Sequence, residues 1–176
     1  MSDYHRNRVP GGTYFFTVTL YDRRSDLLVV HIDALREAVR ATAAKSPFHI
    51  DAWVVLPEHM HCIWTLPESD IDYSGRWRAI KIAFSKSIPA FEGRSPVMEK
   101  RGERGIWQRR YWEHTIRDDR DYAAHMDYTH FNPVKQGLAP SAADWPFSSF
   151  RRCVAKGVYP AEWALTRDPL EEAGER

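Results

Sequence analysis

Residues 52–66 read AWVVLPEHMHCIWTL, two apolar runs either side of a Pro57-Glu58 corner. Ala52–Leu56 and Met60–Leu66 have strand length and composition, and the short connection between them predicts an antiparallel pair. Side chains alternate along a strand, so His59 and His61 share one face, while Met60, Cys62, Trp64 and Leu66 form an apolar set on the other. Upstream, Thr13–Leu20 alternates in the same way, with Tyr14, Phe16, Val18 and Leu20 on one side and Gly11-Gly12 marking its start. Between the two, Ile32, Leu35, Val39 and Ala43 recur at helical spacing over 32–45, and Pro47 stops that helix.

Downstream, Ser74 is the expected cap of a helix with Trp77, Ile80, Phe84 and Ile88 in one stripe and Arg78, Lys81 and Ser85 in another. Residues 89–105 are rich in Pro, Gly and charge and predict a mobile loop. Tyr111–Ile116 reads as a strand. Asp118 and Asp119 supply the cap and acidic first turn of a helix expected to run to about Phe131, where Pro133 ends it. The segment WPFSSF (145–150) is expected to plug the core with aromatics. The order β-α-β-β-α-β-α predicts an α+β fold, a ferredoxin-like sandwich with a mainly antiparallel sheet and helices packed on it. Residues 1–152 are expected to form the domain and 153–176 a partly irregular C-terminal tail.

Composition excludes several classes. The chain has 176 residues, 43% of them hydrophobic and 28% charged, enough for one well-buried core and inconsistent with wholesale disorder. No apolar run approaches the roughly 20 residues of a membrane helix, and Thr13, Thr17 and Thr19 break up the first apolar stretch, so no signal peptide is expected there. Two cysteines, Cys62 and Cys153, are too few for a disulfide scaffold, and a cytoplasmic setting is expected. The net charge is +1, yet residues 76–120 hold twelve Lys/Arg against six Asp/Glu, and residues 168–176 hold four acids and one base. Such segregation suggests a basic groove with a polyanion as one possible partner.

The chemistry concentrates in two segments. Paired imidazoles on a rigid strand fit half a metal site, and equally fit two histidines on a half-exposed face. In DYTHFNP (127–133), Tyr128 and Asn132 are four apart and share a helix face, so the amide oxygen of Asn132 is a candidate third ligand with a phenol one turn away. Taken alone, that pair reads as a packed Tyr and a capping Asn. His125 is a further candidate near the site. A phenol ordinarily titrates near 10, so about one in a thousand is ionised at neutral pH. A nearby cation can stabilise phenolate character and polarise a phosphodiester at once. Attack on phosphorus then stores the bond in a phosphotyrosine link, which a water nucleophile would not do.

The strings GGTYFFTV (11–18), AWVVLPEHMHCIWTLPE (52–68), YWEHTIRD (111–118), DYTHFNPVKQGL (127–138) and DWPFSSF (144–150) together resemble the single-tyrosine transposases of the HUH class. The resemblance is strongest to the branch called REP-associated tyrosine transposases, which act on repetitive extragenic palindromes. It implies a metal-dependent single-stranded DNA endonuclease and strand-transferase. The substrate would be a palindrome hairpin and the intermediate a covalent 5′-phosphotyrosine. It further implies Tyr128 as nucleophile, His59, His61 and Asn132 as metal ligands, Mg2+ or Mn2+ as the ion, and a monomer. Two imidazoles and an amide suit manganese or zinc by softness, whereas magnesium prefers oxygen. Arg6, Arg8, Arg78, Lys81, Arg109 and Arg110 are the candidate DNA-backbone contacts, with Trp107 and Tyr111 either stacking on bases or in the core. A palindrome-binding protein without turnover and a water-using metallohydrolase are the competing readings.

Overall fold

The computed structural model describes residues 7–90, 96–102 and 104–163. The chain runs β1 (Thr13–Thr19), α1 (Leu27–Val30), α2 (Ile32–Lys45), β2 (His49–Val55), β3 (His59–Thr65), α3 (Tyr73–Ser87), α4 (Pro96–Lys100), β4 (Trp112–Thr115), α5 (Asp119–Lys135) and α6 (Phe150–Ala155). The four strands form one sheet in the order β2-β3-β1-β4, every neighbouring pair antiparallel. This is the split βαβ arrangement of a ferredoxin-like fold, as the element order predicts.

Strand alternation sorts the sheet's side chains between two cores. Tyr14, Phe16, Val18, Met60, Cys62 and Trp64 pack with α2 and α3, where the Trp64 and Trp77 rings stack at 4.2 Å. Phe15, Ala52 and Ile63 face the other way and pack with Met126 of α5 and with Phe150 and Cys153 of α6. His59 and His61 stand on this second side, in register with Thr19 and Thr17 of β1.

Several boundaries differ from the sequence reading. The cap of α3 is Asp72, whose carboxylate accepts from the Gly75 N–H at 2.8 Å. Capping there, not at Ser74, makes Tyr73 the first helical residue, fully buried with its ring 4.7 Å from that of Tyr14. β2 begins at His49, three residues before the apolar run, and a register shift between Ile50 and Ala52 sets Asp51 aside. There it accepts hydrogen bonds from Thr65 and Tyr122. The expected mobile loop contains α4, and its return is fastened by Arg104, which donates to the carbonyls of Ile88 and Pro89 at 3.0 and 2.7 Å. Its residues 91–95 and 103 lie outside the described residues.

Pro133 does not end α5. The ring removes one N–H, but only Val134 and Lys135 follow, and the end is closed by other bonds. Gly137, at φ +70°, lets Leu138 N–H reach the Pro133 carbonyl at 2.8 Å while its own N–H bonds Val134 at 3.0 Å. That is a Schellman closure. Asn132 therefore stays within the helix, in phase with Tyr128.

WPFSSF packs as expected and also pairs. Val55 N–H donates to the Phe147 carbonyl and Ser149 N–H to the Trp53 carbonyl, both at 2.8 Å, so the segment covers the outer edge of β2. The expected division at residue 152 falls within α6. Beyond it Cys153 and Tyr159 are buried, and the Tyr159 hydroxyl donates to Asp127 at 2.8 Å. Among the described residues no helix is long and apolar enough to cross a membrane.

Candidate active site

α5 lies over the sheet face that carries the histidines. The Tyr128 ring meets the His61 ring at 5.1 Å and an interplanar angle of 70°, and His59 meets His61 at 4.9 Å. Neither histidine is a surface residue: His59 is 7% exposed and His61 3%. Tyr128 is half-buried.

Both rings are held by their Nδ1 atoms. His59 Nδ1 is 2.8 Å from a Glu58 carboxylate oxygen, which can only accept, so that nitrogen carries the proton. His61 Nδ1 shares a 2.8 Å hydrogen bond with the Thr17 hydroxyl across the β1–β3 ladder. With both Nδ1 atoms engaged, Nε2 is the ring nitrogen each histidine could offer a metal. Burial lowers the His59 pKa against the opposing pull of Glu58. Burial, then the nearby His59 and Lys135, hold that of His61 well below the usual histidine range. Both imidazoles are thus mainly neutral at pH 7, as ligation needs.

The fit to an ion is tested by what these residues leave unsatisfied. His61 Nε2 and both polar atoms of the Asn132 amide are buried without a hydrogen-bond partner. Buried polar groups are otherwise paired in most proteins, at a cost of about 1–3 kcal/mol when they are not. Asn132 is 1% exposed and one helical turn from Tyr128. Two imidazole nitrogens and one amide oxygen suit a divalent cation, and the residues present fit one.

A second cluster lies beyond the Phe15 ring. The potential ligand atoms of His114, Asp121 and His125 fall within 4.8 Å of one another. Here, however, the carboxylate is already surrounded. The Asp121 carboxylate accepts from His114 Nε2 at 2.8 Å and from Arg117 N and Nε at 2.9 and 3.1 Å, while His125 Nδ1 bonds the Asp121 backbone carbonyl at 2.8 Å and stands 3.0 Å from the carboxylate. Burial would raise the Asp121 pKa, but the bonds from His114 and Arg117 prevail and hold it at about 2. The cluster braces β4 against α5. His125 belongs to it, with Phe15 between its ring and that of His61.

The basic candidates are spread out. Arg8 is exposed ahead of β1, and Arg109 and Arg110 are exposed ahead of β4. Arg78 and Lys81 sit on α3, across the sheet from the histidines. The Lys81 ammonium donates to the Gln108 carbonyl at 2.9 Å and lies over the Trp107 and Tyr111 rings. Trp107 and Tyr111 pack against the first core. Arg6 and the acidic tail lie outside the described residues.

Four residues near the site escaped the sequence reading. Thr17 alternates with the apolar face of β1, Glu58 adjoins His59, and Lys135 is seven positions after Tyr128. The Lys135 ammonium stands 5.2 Å from the Tyr128 ring centre. Trp112 shares with His114 the face of β4 turned toward α5, its ring 5.6 Å from that of Phe15.

A half-buried tyrosine over two buried histidines on a four-stranded antiparallel sheet matches the arrangement that the sequence resemblance implies for single-tyrosine transposases. No family model matches the chain. It is 51% identical over 164 residues to a REP-associated tyrosine transposase of Escherichia coli (strain K12), covering 93% of this chain and 92% of that one. A relative from Haemophilus influenzae assigned to the same family is 44% identical over 170 residues, 96% of each chain. Among solved structures, that of a REP-associated tyrosine transposase bound to a REP hairpin superposes with a TM-score of 0.81 at 50% identity, covering 94% of this chain and 92% of that one. The chain belongs to the REP-associated tyrosine transposases.

Proposed function

We propose that this protein cuts and rejoins single strands of DNA at the foot of repetitive extragenic palindrome hairpins, with Tyr128 as nucleophile. The observation that carries the reading is the seating of the Tyr128 ring against His61, whose buried Nε2 lacks a partner, with the equally unpartnered Asn132 amide one helical turn along α5. The hairpin substrate follows from the relative solved with a REP hairpin.

His59, His61 and Asn132 would hold the divalent ion, Mg2+ or Mn2+. When bound, the ion supplies positive charge that polarises the phosphodiester and favours the phenolate. The chain's own residues do the rest. Thr17 and Glu58 fix the histidine rings, and α5 presents the phenol to the phosphate. The Lys135 cation adds to the positive field there. The Tyr128 oxygen bonds to phosphorus as the bond to the 3′ oxygen breaks. That oxygen takes up a proton and leaves as a hydroxyl, while the 5′ phosphate stays on the tyrosine. The reverse step rejoins a strand. Arg8, Arg109 and Arg110 contact the DNA backbone.

A labelled hairpin with a single-stranded flank, incubated with protein and Mg2+ or Mn2+ and run on a denaturing gel, tests this. Wild type should give a protein-linked band that Tyr128→Phe and excess chelator abolish. Cleavage that survives in Tyr128→Phe would transfer the chemistry to water and overturn the proposal.

A further inference from the structure

Of the seven tryptophans, Trp112 alone is exposed, at 47%. It opens β4, an edge strand of the sheet. A large exposed aromatic at a sheet edge invites association, so its retention there calls for a use. The ring is also held in place. It lies parallel to the His114 ring at 5.8 Å and 10°, and edge-on to Phe15 at 5.6 Å and 71°. His114 is fixed in turn by Asp121.

Phe15 also meets Tyr128 at 5.9 Å and His61 at 5.5 Å, so a single phenyl ring separates the indole from the proposed nucleophile. Exposed cations flank it along the chain: Arg109 and Arg110 before the strand, and Arg117, its side chain 63% exposed, after it. A rigid, exposed aromatic face among cations, continuous with a phosphodiester site, has the chemistry of a single-strand platform. Stacking accepts any base, and the cations follow the backbone.

We propose that Trp112 stacks on an unpaired nucleobase next to the phosphate presented to Tyr128, fixing the single-stranded flank of the substrate. The inference rests on the reading of Tyr128 given above and adds a binding residue for the flank, distinct from recognition of the stem. The occupant is a base and not a second copy of the chain, because the indole continues the ring array at the site and follows the exposed Arg109 and Arg110 in the chain.

The test uses full-length protein and two oligonucleotides, a palindrome hairpin with a single-stranded flank carrying 2-aminopurine and the same hairpin without it. Trp112→Ala should weaken binding of the flanked oligonucleotide roughly 5- to 100-fold, leave the bare hairpin unchanged and remove the quenching of 2-aminopurine. Trp112→Phe should recover much of the loss, which keeps the test sound should the alanine variant fold poorly. Equal loss on both oligonucleotides, no loss on either, or a changed oligomeric state on sedimentation would overturn the platform. Wild type that binds neither oligonucleotide would sink the reading of Tyr128 together with this one, whereas tight wild-type binding matched by Trp112→Ala would sink this one alone.

Discussion

Thr17 shows how much of the site depends on one small side chain. Its hydroxyl engages Nδ1 of His61 and so leaves Nε2 as the ring nitrogen without a partner. Partners of this kind typically change metal affinity 10- to 100-fold. Thr17→Val keeps the shape and removes the bond. Its affinity for Mn2+, measured by calorimetric titration, should fall within that range while the fold persists. An unchanged affinity would mean that the ring is held by packing alone. The shared face of His59 and His61 and that of Tyr128 and Asn132 were legible in the sequence because each spacing is local, two along a strand and four along a helix. Thr17 was not, because its partnership depends on the β1–β3 register, forty-four residues apart in the chain.

At the scale of the element, α5 sets the position of Tyr128, the proposed nucleophile. It starts at a true cap, Asp118 accepting from Asp121 N–H at 2.9 Å, and ends in the Schellman closure at Gly137. The start was legible from two consecutive aspartates. The end was misread because a proline inside a helix is normally a stop, and only the bonds beyond it show why this one is not. Asp121 then clamps the first turn to β4. Its carboxyl titrates near 2 in the fold against 3.8 ordinarily, so the folded state holds fewer protons than the unfolded one over that interval. The contribution is complete above pH 4 and lost as pH falls toward 2, at most about 2 kcal/mol. Asp121→Asn should be less stable than wild type at pH 6 in thermal melts, and the gap should narrow between pH 4 and 2. A constant gap across that interval would show that the carboxylate charge contributes nothing.

For the whole molecule, the sheet divides the work. The side bearing α2 and α3 holds the larger aromatic core, and Lys81, read from sequence as a DNA contact, is engaged there by Gln108 and two rings. The side bearing α5 holds the site. Composition revealed the excess of basic residues over 76–120 but not which side of the sheet each one takes, since that depends on topology. The net charge of +1 leaves little long-range pull, so binding should rely on local cations. Changing Arg109 and Arg110 together to Ala should lower the slope of log affinity against log salt by roughly 1.5, each phosphate contact contributing about 0.7 to 0.9. A slope equal to that of wild type would remove both from the interface.

In the proposed site one cation would lie between His59, His61 and Asn132, within reach of Tyr128. Anomalous scattering from Mn2+ soaked into crystals of the protein tests it without reference to activity. A single strong peak is expected in coordination contact with both Nε2 atoms and the Asn132 amide oxygen, beside the phenol. A peak among His114, Asp121 and His125 with none at the histidine pair would contradict it.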